Sequence, residues 1–354
     1  MGGSSFGRIC KITTFGESHG AALGVVVDGM PAGVAVDLDF LQSEMARRRP
    51  GQSALATARI ESDTLKILSG VLDGVTLGTP IAMMIENTNQ HSKDYSDLEN
   101  IFRPGHADYG YFAKYGIRDV RGGGRSSGRE TCARVAAGAL AKLFLKSMDI
   151  DICAFAAEIG GVKAEKFDPA EIEKNPARSP DKDAAVLMAA AVADAAKCGD
   201  STGGIVKCRI SGVPAGWGEP VFDKLDARLG YAMLSLGGVK GIEFGNGFAC
   251  AKLRGSENND PMTENMNFAS NNSGGIAGGI SNGNTIEFAL AVKPTPSISI
   301  PQRTVDKSGK EQIIKITGRH DPCIVPRIIP VVEAMAAVVL ADFALMQKCA
   351  KLDY

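Results

Sequence analysis

Glycine sets the terms on which this chain folds. The sequence holds 42 glycines against one tryptophan and six tyrosines, and they gather in clusters, "RGGGRSSG", "LGGVKG" and "NNSGGIAGGISNGN", between periodic apolar segments. An even excess of glycine would read as linker, whereas clusters mark places where backbone turns tightly or comes close to a ligand. The segments between the clusters supply the secondary structure. Residues 6 to 30 read as two strands around the turn "GESHG", and "DFLQSEMARRRPG" as a short helix stopped by Pro50 and Gly51. The stretch "TLKILSGVLDGVTLGTPIAMMIEN" alternates as two or three strands joined by glycine turns, and "ETCARVAAGALAKLFLKSM" has the strongest helical spacing in the chain.

The middle, residues 151 to 245, repeats a loose order of strand, helix, strand. Here "AAVLMAAAVADAAK" and "VFDKLDARLGYAMLSL" read as helices and "GGIVKCRISGV" as a strand. The first half has a similar order, which points to an internal duplication, although no sequence period is visible. Residues 254 to 284 are dominated by Asn, Ser and Gly and read as a functional loop. Then "NTIEFALAVKPTPSISIP" is a strand running into a proline-rich turn, and "VVEAMAAVVLADFALM" at 331 to 346 an amphipathic helix, too short and too charged to span a bilayer. The expectation is one α+β domain over residues 1–354, built of antiparallel sheets and helices.

At 354 residues and 44% hydrophobic content the chain can fill a large core, and its net charge of -1 offers no global field to nucleic acid or acidic membranes. The eight cysteines include no C-x-x-C pair, so neither a zinc site nor a disulfide framework is expected. No charged leader and no myristoylation pattern opens the sequence, which points to the cytoplasm.

Charge is concentrated locally. Residues 103 to 134 hold Arg103, Arg118, Arg121, Arg125, Arg129 and Arg134 around "RGGGRSSG". Guanidinium forks, glycine-freed N–H groups, serine hydroxyls and the positive end of a helix starting near Glu130 together describe an anion cradle. It is no Walker A loop: Gly123 and Gly128 have the required gap, but Arg129 and Glu130 stand where Lys and Ser or Thr are needed. Nor does any G-x-G acquire its third glycine, since Ser127, Val221 and Cys250 occupy those places. "GESHG" has the spelling of a serine-hydrolase elbow in Gly16, Ser18 and Gly20, but a strand and not a helix follows it. Three of the four histidines, His19, His106 and His320, sit in glycine- or proline-bounded loops, which suits acid-base work; none has metal-ligand spacing.

Taken in order, "GESHGAALGVVVDGMPAG", "RPGHADYGYFAKYGIRDVRGGGRSSGRETCARVAAG" and "GRHDPCIVPR" resemble the three signature stretches of the chorismate synthase family, and the similarity runs from about Gly7 to the last helix. The resemblance implies a β-α-β sandwich, usually a homotetramer, that converts 5-enolpyruvylshikimate 3-phosphate to chorismate by anti 1,4-elimination of phosphate and requires reduced FMN. It implies Ser18, Arg48, Arg103, Arg129 and Arg134 for the substrate. For FMN it implies Arg125, Ser126, Ser127, Gly237, Gly238, Gly278, the run Lys293, Pro294, Thr295, Pro296 and Ser297, and Arg319. His106 would serve the departing phosphate, His19 the reduced flavin, and Asp321 deprotonation. Two departures stand out: Ala54, with Arg59 nearby, replaces an arginine of many members, and Gly128 replaces a frequent alanine. Some relatives reduce FMN with NADPH. Here no sequence is left over for a nicotinamide domain, so a separate flavin reductase is the expected partner. The rival functions are a P-loop-like phosphotransferase and a non-catalytic flavin or phosphate sensor.

Overall fold

Strands β1 (Ser5–Phe6), β2 (Lys11–Gly16) and β3 (Ala22–Asp28) open the fold in a computed structural model that describes residues 3–51, 55, 62–87, 99–316 and 320–352. Helix α1 (Leu38–Arg48) follows, capped by the Asp37 side chain, which accepts from the Phe40 N–H. After it come β4 (Leu65–Ile67), the small hairpin β5 (Val71–Leu72) and β6 (Val75–Thr76), and β7 (Ile81–Glu86), one more strand than the sequence reading expected at most. Helices α2 (Asp108–Tyr115) and α3 (Thr131–Lys146) complete the first half. The second half runs through β8 (Asp151–Ile159), β9 (Val162–Lys163), α4 (Lys182–Lys197), β10 (Gly204–Ser211), α5 (Leu225–Leu234) and β11 (Val239–Phe244). It ends with α6 (Gly255–Asn258), the hairpin β12 (Ile276–Ala277) and β13 (Ile280–Ser281), β14 (Ile286–Val292), the hairpin β15 (Gln302–Val305) and β16 (Glu311–Ile314), and α7 (Val325–Gln347).

Each half builds one five-stranded antiparallel sheet, in the orders β1-β2-β3-β7-β4 and β11-β14-β10-β8-β9. Setting aside helices α2 and α6 and the short hairpins and turns, β3-α1-β4-β7-α3 and β10-α5-β11-β14-α7 repeat one order of strand, helix, strand, strand, helix. In both, the first of these strands pairs with the third, and the third with the second at the sheet edge. The halves differ beyond that unit, where β2 follows its edge strand inward and β8 precedes its own, and within it, where α2 precedes α3 but the hairpin β15–β16 precedes α7. This is the duplication that the sequence order hinted at.

α3 packs on the first sheet, α7 on the second, and the two helices pack on each other, giving the sheet-helix-sheet layering of an α+β sandwich. Glycine makes that contact possible: a β-carbon on Gly138 of α3 would meet Ala334 of α7 at 2.3 Å. The amphipathic helix expected at 331–346 is longer, starting at Val325 and passing through Pro330, and apart from Arg327 it is buried on every side up to Leu345. Its 23 residues are long and apolar enough to cross a membrane, but α3 and the second sheet enclose them as a core helix. Its two acids are satisfied internally. Asp342 accepts the N–H groups of Arg8, Ile9 and Cys10 at 2.7 to 3.0 Å, and Glu333 accepts from Arg47, Lys142 and the Ala154 N–H. The helix expected from "VFDKLDARLGYAMLSL" starts only at Leu225: Val221 takes a positive φ of 70°, and Lys224, with ψ 143°, is still outside the helical region. The Asn-, Ser- and Gly-rich stretch is ordered around Asp260, which accepts from Ser270 and from the N–H groups of Asn272 and Ser273.

Candidate active site

Three consecutive glycines with positive φ, Gly122, Gly123 and Gly124, fold the arginine-rich loop back on itself before two 3-10 turns lead into α3. The Ser126 hydroxyl donates to the Gly123 carbonyl at 2.7 Å, and Ser127 caps the second turn by accepting from the Arg129 N–H. A β-carbon at Gly128 would meet nothing within 4 Å, so an alanine fits there as readily as the glycine present.

Arg121 is held singly by Asp119 at 3.1 Å, whereas Arg48 and the other five arginines of the segment are arranged in pairs, each sharing one carboxylate. Asp63 binds Arg48 at 2.7 Å and Arg129; Asp108, in the first turn of α2, binds Arg103 at 2.8 Å and Arg118 at 3.2 Å. Glu130 binds Arg134 at 2.8 Å and lies 3.6 Å from Arg125. Burial pushes the Asp63 and Asp108 carboxyls up, but their arginine partners outweigh it and hold both below the ordinary carboxylate range. Six guanidiniums against three carboxylates leave three positive charges over within these pairs. The acid that offsets half of the guanidinium charge is largely out of solvent.

The turn "GESHG" joins two antiparallel strands, β2 and β3, which removes the hydrolase elbow. It packs instead on the arginine-rich loop: the Ser18 hydroxyl lies 3.2 Å from His19 Nδ1 and donates to the Arg121 carbonyl at 3.4 Å. Arg125 reaches the same strand, donating to Thr14 Oγ1 at 2.6 Å and to the Gly16 carbonyl at 3.3 Å. Asn87 at the end of β7 stitches turn to cradle. Its amide donates to the carbonyls of Glu17 and Gly20, and its oxygen accepts from Arg129 Nε at 2.9 Å.

On another side the segments "RPGH" and "KPTPS" meet. His106 Nε2 is 2.8 Å from the Ser297 hydroxyl, Lys293 Nζ donates to the Gly105 carbonyl at 2.7 Å, and a β-carbon on Gly105 would touch Pro296 at 2.8 Å. Burial first, then the positive field of Arg103, Lys293 and His320, lowers His106 to about 4 despite the opposing charge of Asp108. Its imidazole is therefore neutral at pH 7. Lys293 also donates its backbone N–H to the Gly238 carbonyl, and Arg134 donates to Ser235, which brings the Gly237–Gly238 turn to the same region. The Thr295 carbonyl accepts from Ser201 at 2.6 Å, and Pro294 lies against Gly203. Asp321, nine-tenths buried, is ion-paired with Arg327.

Two groups of expected residues are thus joined, directly or through a shared carboxylate: Ser18, His19, Arg48, Arg125, Ser126, Ser127, Arg129 and Arg134 in one, and Arg103, His106, Gly238 and Lys293 to Ser297 in the other. Gly278 is not joined to either in this way, since the hydrogen bonds of its hairpin run to Gly216, Trp217 and Leu225. Arg319, Ala54 and Arg59 lie outside the described residues. Sequence reasoning missed Asp63, Asp108, Glu130 and Asn87. Glu130 adjoins Arg129 and Asp108 follows Arg103 by five positions, so spacing could have suggested them; nothing in the sequence ties Asp63 or Asn87 to arginines so far along the chain.

Residues 10–345 match the family model described as chorismate synthase. The chorismate synthase of Oleidesulfovibrio alaskensis is 54% identical over 349 residues, covering 98% of both chains, and that of Christiangramia forsetii is 52% identical over 99% of this chain and 100% of its own. A solved structure, a crystal structure of chorismate synthase, superposes with a TM-score of 0.77 at 31% identity, covering 97% of this chain and 93% of the other. Similarity of this extent spans nearly the whole chain, and the chain belongs to the chorismate synthase family of lyases.

Proposed function

We propose that this chain eliminates phosphate from 5-enolpyruvylshikimate 3-phosphate in the anti 1,4 sense to give chorismate, with reduced FMN as its cofactor. The observation that carries the reading is a cradle of carboxylate-paired arginines with surplus positive charge near a neutral histidine. The substrate brings one phosphate and two carboxylates, each of which needs a charge-assisted partner to leave water. Arg48, Arg103, Arg129 and Arg134, with Ser18, are the groups assigned to them. A phosphate dianion beside His106 opposes the field of Arg103 and Lys293, restores the basicity of the imidazole, and so equips it to give a proton to the leaving group.

The residues assigned to FMN suit a polar ligand. Among the described residues, buried Thr295 Oγ1 has no hydrogen-bond partner, and β-carbons at Gly237 and Gly278 would meet nothing within 4 Å. Arg125, Ser126, Ser127, Gly237, Gly238, Gly278, Lys293 to Ser297 and Arg319 would hold it. When bound, reduced FMN would lend an electron that eases departure of phosphate and recover one as the C6 hydrogen is lost, so that no net oxidation results. His19 would orient and balance charge on that side, and Asp321, held by Arg327, would take up the proton that is lost.

The flavin is taken to arrive already reduced, from a separate reductase, because no complete G-x-G-x-x-G stands in the sequence. The homotetramer and a cytoplasmic location belong to the same proposal. Phe222, Phe248 and Met266, 82 to 89% exposed, are apolar surface that assembly would cover, which light scattering tests. For the reaction, the test is chorismate formation without oxygen in three arms: chemically reduced FMN, FMN with NADPH, and ATP with magnesium. Product in the first arm alone supports the reading. Product from NADPH with contaminating reductase excluded refutes the external reductase, and phosphoryl transfer from ATP refutes the elimination.

A further inference from the structure

Asp63 lies in "RIESDTLK", forty residues before the arginine-rich segment begins. Its side chain is wholly buried, and its backbone sits at φ 46°, in the left-handed region that residues with a β-carbon seldom enter. Gln42 holds the backbone there, donating to the Asp63 carbonyl and accepting from the Leu65 N–H, both at 3.1 Å. So placed, the carboxylate spends one oxygen on each of two arginines: Oδ2 on Arg48 at the end of α1, Oδ1 on Arg129 just before α3. Arg129 is gripped on its other edge by Asn87, whose orientation is fixed because arginine Nε can only donate. Asn87 in turn holds the carbonyls of Glu17 and Gly20, on either side of His19. Three segments distant in sequence therefore meet through one buried acid.

We propose that Asp63 is a positioning residue of this active site, presenting Arg48 and Arg129 to the substrate as a pair of fixed spacing; the proposal rests on the elimination reading above. The competing explanation is that Asp63 merely lowers the positive charge of the cradle. The two diverge for ligands that do and do not demand geometry. Inorganic phosphate is small and binds wherever a guanidinium offers a fork, whereas the substrate must satisfy several groups at once.

Substrate and inorganic phosphate are titrated calorimetrically, with oxidised FMN present, into wild type, Asp63→Glu and Asp63→Asn, and each protein is melted. Glutamate keeps the charge and moves it by one methylene, while asparagine keeps the size and removes the charge. Positioning requires at least tenfold weaker substrate binding in both, with phosphate binding within threefold of wild type in Asp63→Glu and no weaker in Asp63→Asn. Wild-type substrate affinity in Asp63→Glu overturns the proposal in favour of charge. Parallel loss of both ligands, or loss of cooperative melting in both variants, overturns it in favour of a role in folding. A wild type that binds the substrate without turning it over would sink the elimination reading and leave this comparison intact.

Discussion

The His19 imidazole lies against the α-carbon of Gly122: a β-carbon there would come within 2.3 Å of His19 Cε1 and 2.5 Å of Nδ1. Besides the Ser18–Arg121 and Arg125–Gly16 hydrogen bonds, the first and second signature stretches thus meet at Gly122, and that contact requires a glycine. Gly122 also has a φ of 69°, so Gly122→Ala adds backbone strain on the order of 1–3 kcal/mol to the clash. Because His19 is itself buried, at 5% exposure, the imidazole has little room to withdraw and the loop must move. The variant is expected to lose at least tenfold in turnover with reduced FMN while the protein still melts cooperatively. A wild-type rate would show that the His19–Gly122 contact has no bearing on catalysis.

Glu333 joins the helix layer to the sheet beneath it. Fully buried, it binds Arg47 and Lys142 at 2.6 Å each and accepts the Ala154 N–H at 3.0 Å, and although burial pushes its carboxyl up, the two cations bring it down to about 2. Removing one partner of such a network leaves buried charge uncompensated, which costs about 3–5 kcal/mol. Glu333→Ala is expected to lower the urea midpoint accordingly. Since the folded value lies below the ordinary one, the stabilisation is present above about pH 4.5 and is lost as pH falls towards 2. An unchanged midpoint would mean that water or relaxation has replaced the carboxylate.

His106 titrates in a separate window. Its value falls from 6.5 unfolded to about 4 folded, so the unfolded chain binds the extra proton first as pH drops. The contribution is complete above pH 6.5 and declines as pH falls from 6.5 to 4, on the order of 1–2 kcal/mol by pH 5. Denaturation at pH 7.5 and pH 5 is expected to show a slope that His106→Asn reduces. An equal slope in the variant would place the titration elsewhere.

Much of the fold was legible because periodicity and punctuation agree. The strands flanking "GESHG", helix α1 with its stop before Pro50, and α3 stand where alternation, caps and glycines put them. The extent of α7 was not, since a helix buried on all sides shows no polar stripe, and Pro326 and Pro330 look like breakers when one cannot see that they fall within its first turns. Arginines and histidines of the site were visible as local clusters. Their partners were not: Asp63 and Asn87 become neighbours of Arg129 only through the strand pairing of the first sheet and the packing of α1 and α3 upon it.

His106, held by Ser297 at 2.8 Å and neutral at pH 7, is the residue on which the proposed loss of phosphate turns. The measurement is a single turnover of 5-enolpyruvylshikimate 3-phosphate under anaerobic conditions with excess reduced FMN, comparing wild type with His106→Ala and following flavin binding in the same samples. Loss of acid-base assistance is expected to slow chorismate formation about 10²- to 10⁴-fold with FMN affinity nearly unchanged. A variant that binds FMN normally and turns over at the wild-type rate would contradict the role given to His106 and, with it, the reading of the cradle as the site where phosphate leaves.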